Sequence, residues 1–331
     1  MGKVFLAKDP KLDRDVAIKV LSSGAKDAEM RERFRLEVKA VAALKHPNIV
    51  ELYDYSGPDA QDLYFVMEYV PGPSLYDFTA QHGLMGEAVA LCVGHELALA
   101  LMHAHAHSIV HRDLKPENML LHDGRLVLMD FGIVKAVAEG NVLGVRADSR
   151  TRVLGTPGFM APEQFSGRGV DHRTDIFALG AVLYNLTTGH LPYEGGSVEG
   201  IYKNLKSGNC ADPREHLESL SPAFCQIIAR CIAPKPKDRF PNVGAFKDAV
   251  LLALSQHGVT EPRAELRAYQ ANPGAPVEGH RDRRIDALLE DLRAAFGKED
   301  ATEVRRVLSH LESLGAGRQA PPPLPGRQPR P

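Results

Sequence analysis

The sequence predicts an α+β fold in which a small antiparallel sheet with one helix is followed by a larger, mainly helical body. Three observations predict it. Strand-like runs at 3–7, 15–21, 49–53 and 63–69 surround a single helical pattern from Arg31 to Leu44. Past Pro71-Gly72-Pro73 helical patterns dominate. Among these helical patterns lies the stretch from His111 to Gly132, where polar, chemistry-bearing side chains concentrate.

Length and composition set the frame. A chain of 331 residues has room for one large two-part unit and an appendage. Its 44% hydrophobic and 25% charged residues are globular averages. A formal charge of −2 offers no footprint for nucleic acid or an anionic membrane. No apolar run approaches the ~20 residues of a membrane helix and the N-terminus has no signal-peptide pattern, so the expectation is a cytoplasmic protein without a membrane span. Cys92, Cys210, Cys225 and Cys231 lack metal-site spacing and read as buried thiols. His103, His105 and His107 read as helix-end histidines, because residues two apart on a helix point to different faces.

In chain order, 3–7 and 15–21 form a hairpin around the turn-rich Asp9-Pro10-Lys11-Leu12-Asp13. Phe34, Val38, Val41 and Leu44 recur at near-helical spacing, and His46-Pro47-Asn48 ends that helix. Strands at 49–53 and 63–69 follow. Asp175-Ile176-Phe177-Ala178-Leu179-Gly180 opens an apolar helix, and further helices run from Leu191-Pro192-Tyr193 to about His257. Residues 258–284, rich in Pro and charge, read as a linker. In 285–314 one stripe of Ile285, Leu288, Leu289, Leu292 and Phe296 and a second of Val304, Val307, Leu308, Leu311 and Leu314 predict a helical hairpin, a surface for the body of the chain, a second copy or a partner protein. The Pro-rich tail, 315–331, reads as disordered.

The chemistry lies in His111-Arg112-Asp113-Leu114-Lys115-Pro116-Glu117-Asn118 and, past the strand-like 125–129, in Asp130-Phe131-Gly132. Asp113, Asn118 and Asp130 bring three oxygen-bearing side chains together from one hairpin-like segment. Such oxygens suit a hard cation like Mg²⁺, which takes few protein ligands and completes its shell from substrate phosphates. A nucleotide is therefore implied.

This segment resembles the catalytic loop and metal-binding turn of the protein kinases, and the resemblance, closest to bacterial (Hanks-type) serine/threonine kinases, covers residues 1–257. It implies a two-lobed fold: an N-lobe (1–70) of sheet and one helix, a mainly helical C-lobe (71–257), and ATP between them. It gives catalytic roles to Asp113, which accepts the proton of the attacking hydroxyl, to Lys115, which neutralises the transferring phosphoryl group, and to Asn118 and Asp130, which hold Mg²⁺, with Mn²⁺ as an alternative. Lys115 points to a Ser/Thr kinase. Val16-Ala17-Ile18-Lys19 resembles the strand whose lysine contacts the α- and β-phosphates, with Glu37 as the helix partner of Lys19 in an ion pair. By the same resemblance Met67 guards the back of the adenine pocket, the backbone of Glu68 to Val70 bonds the adenine edge, and Gly2, Val4, Ala17 and Leu120 also meet the nucleotide.

The 34-residue segment from Asp130 to Glu163 resembles an activation segment. Thr156 would bond near Asp113 and Lys115, while Ser149 and Thr151 are candidate phosphorylation sites and Arg112 is the residue that would pair the phosphate. Asp175 would brace the catalytic-loop backbone, and Glu163 and Arg239 would form a buried ion pair. The implied function is transfer of the γ-phosphoryl group of ATP to Ser or Thr of protein substrates in signal transduction, with autophosphorylation of that segment. The rival reading is an N-terminally truncated pseudokinase or scaffold signalling through the C-terminal helices. Its basis is Gly2-Lys3-Val4, which matches only the end of Gly-x-Gly-x-x-Gly-x-Val, so that the rest of this loop and its strand are expected upstream of Met1.

Overall fold

Antiparallel pairing of four strands builds the first layer. Strands β1 (Lys3–Asp9), β2 (Arg14–Val20), β3 (Leu52–Tyr55) and β4 (Tyr64–Glu68) form an antiparallel sheet in the order β1-β2-β4-β3. This is a computed structural model that describes residues 3–21, 28–57, 60, 62–131, 157–166 and 169–273, with positions 289, 292, 304, 308 and 311. Two compact units make it up, one of residues 1–253 with 261–275 and one of 254–260 with 276–331. At the β1–β2 turn Asp13 takes left-handed backbone, and the Asp9 carboxylate accepts the N–H groups of Lys11 and Leu12. Helix α1 (Ala28–Ala42) buries Phe34, Val38 and Val41 on its sheet-facing stripe.

The strand expected over 49–53 starts only at Leu52. Residues 48–50 are drawn to the other lobe: Ile49 bridges Leu128, the Val50 N–H donates to the Leu128 carbonyl (3.0 Å), and the Leu128 N–H donates to that of Asn48 (2.9 Å). The backbone there satisfies its hydrogen bonds across the lobes rather than in the sheet.

The larger lobe contains α2 (Leu75–His82), α3 (Glu87–Ala106), α4 (Pro162–Ser166), α5 (His172–Thr188), α6 (Val198–Ser207), α7 (Pro213–His216), α8 (Pro222–Cys231), α9 (Val243–Gln256) and α10 (Pro262–Ala271). A two-stranded hairpin, β5 (Met119–His122) and β6 (Arg125–Leu128), lies beneath the crossover from the sheet. Helices α3 and α5 are buried on nearly every side and pack on each other. The expectation that no apolar run reaches membrane-helix length is corrected by α3, which is long and apolar enough to cross a membrane but is mostly buried as a core helix of this lobe. Cys92, Cys225 and Cys231 are buried as expected, and Cys210 is only partly so.

The linker expected over 258–284 is also corrected in its first half, which α10 occupies. Pro262 sits at the first helical position, and Pro262, Leu266 and Tyr269 recur at 4 and 3 residues to make one buried stripe against α3. The charged residues between them gave the segment its linker-like composition. In the predicted hairpin the described positions Leu289, Leu292, Val304, Leu308 and Leu311 are helical. The remainder of 285–314 and the tail lie outside the described residues.

Glu163 and Arg239 form a bidentate ion pair of 2.6 and 2.9 Å. Thr174 donates to the same carboxylate, and the guanidinium also reaches the Ala233, Arg173 and Pro234 carbonyls. Removing one partner strands the other charge in the core. Arg239→Met should therefore lower unfolding stability by about 3–5 kcal/mol in chemical denaturation followed by circular dichroism, whereas breaking the exposed pair of Arg214 with Asp212 should leave stability little changed.

Candidate active site

The site is assembled on a backbone turn held from below. Asp175, fully buried on α5, accepts the N–H groups of His111 (2.8 Å) and Arg112 (2.9 Å), and His105 Nε2 reaches it at 2.8 Å. Arg112 is thereby kept in left-handed backbone, φ 63°, and its carbonyl accepts from Gln164 Nε2 at 2.8 Å. Such a conformation costs a non-glycine residue of order 1–3 kcal/mol and persists where its surroundings over-determine it. His111 Nε2 donates to the Met129 carbonyl (3.0 Å) and Nδ1 accepts the Asp113 N–H (3.2 Å), which defines a neutral ring bridging the loop to the end of β6. Its ring lies on Phe131, 4.6 Å between centroids.

This turn delivers the predicted residues to one place. Asn118 Nδ2 donates to the Asp113 carbonyl (2.8 Å) and to Asp113 Oδ2 (3.1 Å), leaving the Asn118 amide oxygen for a cation. Lys115 Nζ lies 3.7 Å from Asp113 Oδ2. The Met129 N–H donates to the Asn118 carbonyl (3.0 Å), so Asp130 follows directly, also in left-handed backbone at φ 61°. Asp130 Oδ2 takes Lys19 Nζ at 2.5 Å, while its Oδ1 is buried with no hydrogen-bond partner among the described residues. A buried carboxylate oxygen left bare is costly in protein alone, and a cation would satisfy it. Carboxylate and amide oxygens such as those of Asp130 and Asn118 are the donor types that suit Mg²⁺.

The expected ion pair of Lys19 with Glu37 is not formed. Glu37 is half-buried on α1, and among the described residues the partner of Lys19 is Asp130, whose left-handed turn brings its carboxylate to the ammonium first. Val4 pairs in register with Lys19, and Ala17 with Met67, both of the latter buried. Val4 itself is exposed on β1, which among the described residues pairs with β2 alone. Glu68 forms a bidentate pair with Arg125 of β6 (2.7 and 3.1 Å), tying the end of β4 to the catalytic hairpin. The Glu68 N–H donates to the Glu51 carbonyl and the Gly72 N–H to that of Val70. Leu120 is half-buried on β5, opposite Val127. Gly2, Ser149, Thr151 and Thr156 lie outside the described residues.

A sequence model described as the protein kinase domain matches residues 1–250. The chain belongs to that family. Among curated relatives it is 32% identical over 93% of its length to serine/threonine-protein kinase PknB of Mycolicibacterium smegmatis, of which it covers 50%. It is 35% identical over 97% of its length to Pkn3 of Myxococcus xanthus (60% covered) and 34% identical over 81% to PrkC of Bacillus subtilis (41% covered). The chain thus spans about half the length of the curated relatives it matches. Among solved structures, Rad53 1–466 in complex with AMP-PNP superposes with a TM-score of 0.62 at 25% identity, covering 75% of this chain and 60% of that one. The small sheet with its helix and the helical lobe are the two lobes of the kinase fold.

Sequence reasoning missed three contributors to this kinase site. His111 was read only as part of a motif, Gln164 not at all, and His105 as a helix-end histidine although it binds Asp175. Burial pulls the His111 imidazole below the ordinary range. The folded state therefore refuses a proton that the unfolded chain accepts below about pH 6.5, so this contribution to stability is complete above that pH and lost on acidification. Burial pulls His46 and His103 the same way. The denaturation midpoint should fall between pH 7 and 5.5, and His111→Gln, which keeps a donor toward Met129, should flatten that slope. A wild-type midpoint constant across this range would contradict the assignment.

Proposed function

We propose that the chain transfers the γ-phosphoryl group of ATP to Ser or Thr hydroxyls of protein substrates. The observation that carries this reading is the trio of Asp113, Asn118 and Asp130, with Asn118 bonded to Asp113 and a buried oxygen of Asp130 that has no hydrogen-bond partner among the described residues. Asp113 accepts the proton of the attacking hydroxyl, and Lys115 beside it offsets charge on the phosphoryl group in transit. Asn118 and Asp130 would hold Mg²⁺, or Mn²⁺ as an alternative, which when bound would neutralise the phosphate oxygens. Lys19 leaves Asp130 for the α- and β-phosphates as Glu37 swings in to pair with it. With the Glu68 N–H and the Val70 carbonyl already bonded, the adenine edge meets the Glu68 carbonyl and the Val70 N–H, above Leu120 and beside Ala17 and Met67. Gly2 and Val4 cover the phosphates.

Ser149 and Thr151 are the assigned sites of autophosphorylation, with Arg112 receiving the phosphate and Thr156 bonding near Asp113. The reduced thiols and the need for ATP fit the cytoplasm. Residues 285–314 are assigned as the surface for a second copy or a partner protein.

The test is transfer of labelled phosphate from ATP to the chain itself and to a Ser/Thr substrate protein. Asp113→Asn should lower kcat by about 10²–10⁴ with nucleotide affinity nearly unchanged, and Asp130→Asn should abolish transfer and weaken Mg²⁺–ATP binding. Full activity in either variant would overturn the reading.

A further inference from the structure

Helix α10 lies beyond the part of the chain that the kinase-domain model matches, yet it grips the hairpin that carries the proposed metal ligands. Strands β5 and β6 pair from Met119↔Leu128 at one end to His122↔Arg125 at the other. Asn118 and Asp130 flank the open end. Asp123 and Gly124 close the other, both in left-handed backbone, φ 49° and 70°, as a two-residue hairpin turn requires.

At this closed end Gln270 makes two bonds of opposite sense: its Oε1 accepts the Gly124 N–H at 2.9 Å, and its Nε2 donates to the Leu121 carbonyl at 3.1 Å. Arg267 pairs with the Asp123 carboxylate, Nε at 2.9 Å and Nη2 at 3.0 Å. The helix approaches so closely that a Cβ on Gly124 would stand 2.7 Å from both the Arg263 carbonyl oxygen and the Arg267 nitrogen. Leu266 beneath is fully buried, and the Tyr269 ring lies 5.7 Å from that of Phe78 on α2. The Leu121 N–H meanwhile donates to the Pro73 carbonyl of the interlobe crossover, 3.0 Å. Leu121 is thus held from one side by the crossover and from the other by α10, and its neighbour Leu120 forms the proposed floor of the nucleotide site.

We infer that α10 is a clamp that positions the nucleotide and metal site, with Gln270 as its positioning residue. A hairpin with four residues in each strand is short enough for its open end to follow its closed end. Fixing Leu121 and Gly124 therefore fixes the height of Leu120 and the spacing of Asn118 and Asp130. An amide suits the post because it supplies one acceptor and one donor. The exposed Arg267–Asp123 pair contributes less. This inference rests on the kinase reading.

The test compares full-length wild type with Gln270→Met, which keeps the length and loses both bonds, and with Gln270→Glu, which keeps only the bond to Gly124. Gln270→Met should raise the KM for ATP and the Mg²⁺ concentration at half-maximal rate by several-fold to roughly tenfold, as the loss of a paired amide would. Its kcat at saturation and its KM for the protein substrate should stay within about twofold, with Gln270→Glu between the two. A lowered melting temperature with an unchanged ATP KM, or a uniform loss of kcat alone, would overturn the inference. Affinity for a Mg²⁺-bound non-hydrolysable ATP analogue, measured by fluorescence titration, keeps the two readings apart. A wild type that binds but does not transfer refutes the kinase reading while the affinity ratio still decides the clamp, and a wild type that does not bind refutes both.

Discussion

Asp175 carries a carboxylate with no exposure to solvent, and three donors from two other elements converge on it. A charge so placed would cost several kcal/mol if left bare. Satisfied as it is, it fixes two successive backbone N–H groups of the catalytic loop and makes the left-handed turn at Arg112 tolerable. From that turn the rest follows along the chain. Asp113 is presented, Asn118 folds back onto it, β5 and β6 return the backbone, and Asp130 arrives beside Asn118. His111 closes the circuit by bonding the carbonyl just before Asp130. The proposed chemistry therefore depends on a support in the helical core.

Much of this was legible in the sequence, and the reason is locality. Asp113, Lys115, Asn118 and Asp130 sit within eighteen residues, where the chain's own geometry limits how they can be arranged, and the buried Glu163–Arg239 pair came from the recognised context at both ends. What could not be read are contacts between distant residues. His105 meets Asp175 across 70 positions, Gln164 meets Arg112 across 52, and Gln270 meets Gly124 across 146. Each is a polar residue on a helix or turn whose type alone suggests only a solvated face. Helix α10 was hidden differently: its apolar positions have helical spacing, but they are three among many charges, and composition outweighed periodicity.

The partner of Lys19 is where motif and geometry part. The motif supplies both acidic residues, Glu37 on α1 and Asp130 after β6, and one ammonium can be shared between them only when both approach. Here, among the described residues, Asp130 holds it. Among the described residues the second oxygen of Asp130 has no hydrogen-bond partner, and Glu37 makes no ion pair with Lys19. Catalysis of the proposed kind rests on positioning and charge rather than covalent work, so which carboxylate holds Lys19 bears directly on the site.

The most direct measurement is a crystal structure of the chain with a non-hydrolysable ATP analogue and Mg²⁺. The account predicts a cation about 2.0–2.1 Å from Asp130 Oδ1 and the Asn118 amide oxygen, with Lys19 released from Asp130 to the α- and β-phosphates. A nucleotide bound with its cation away from both residues, or with Lys19 still held by Asp130, would contradict it.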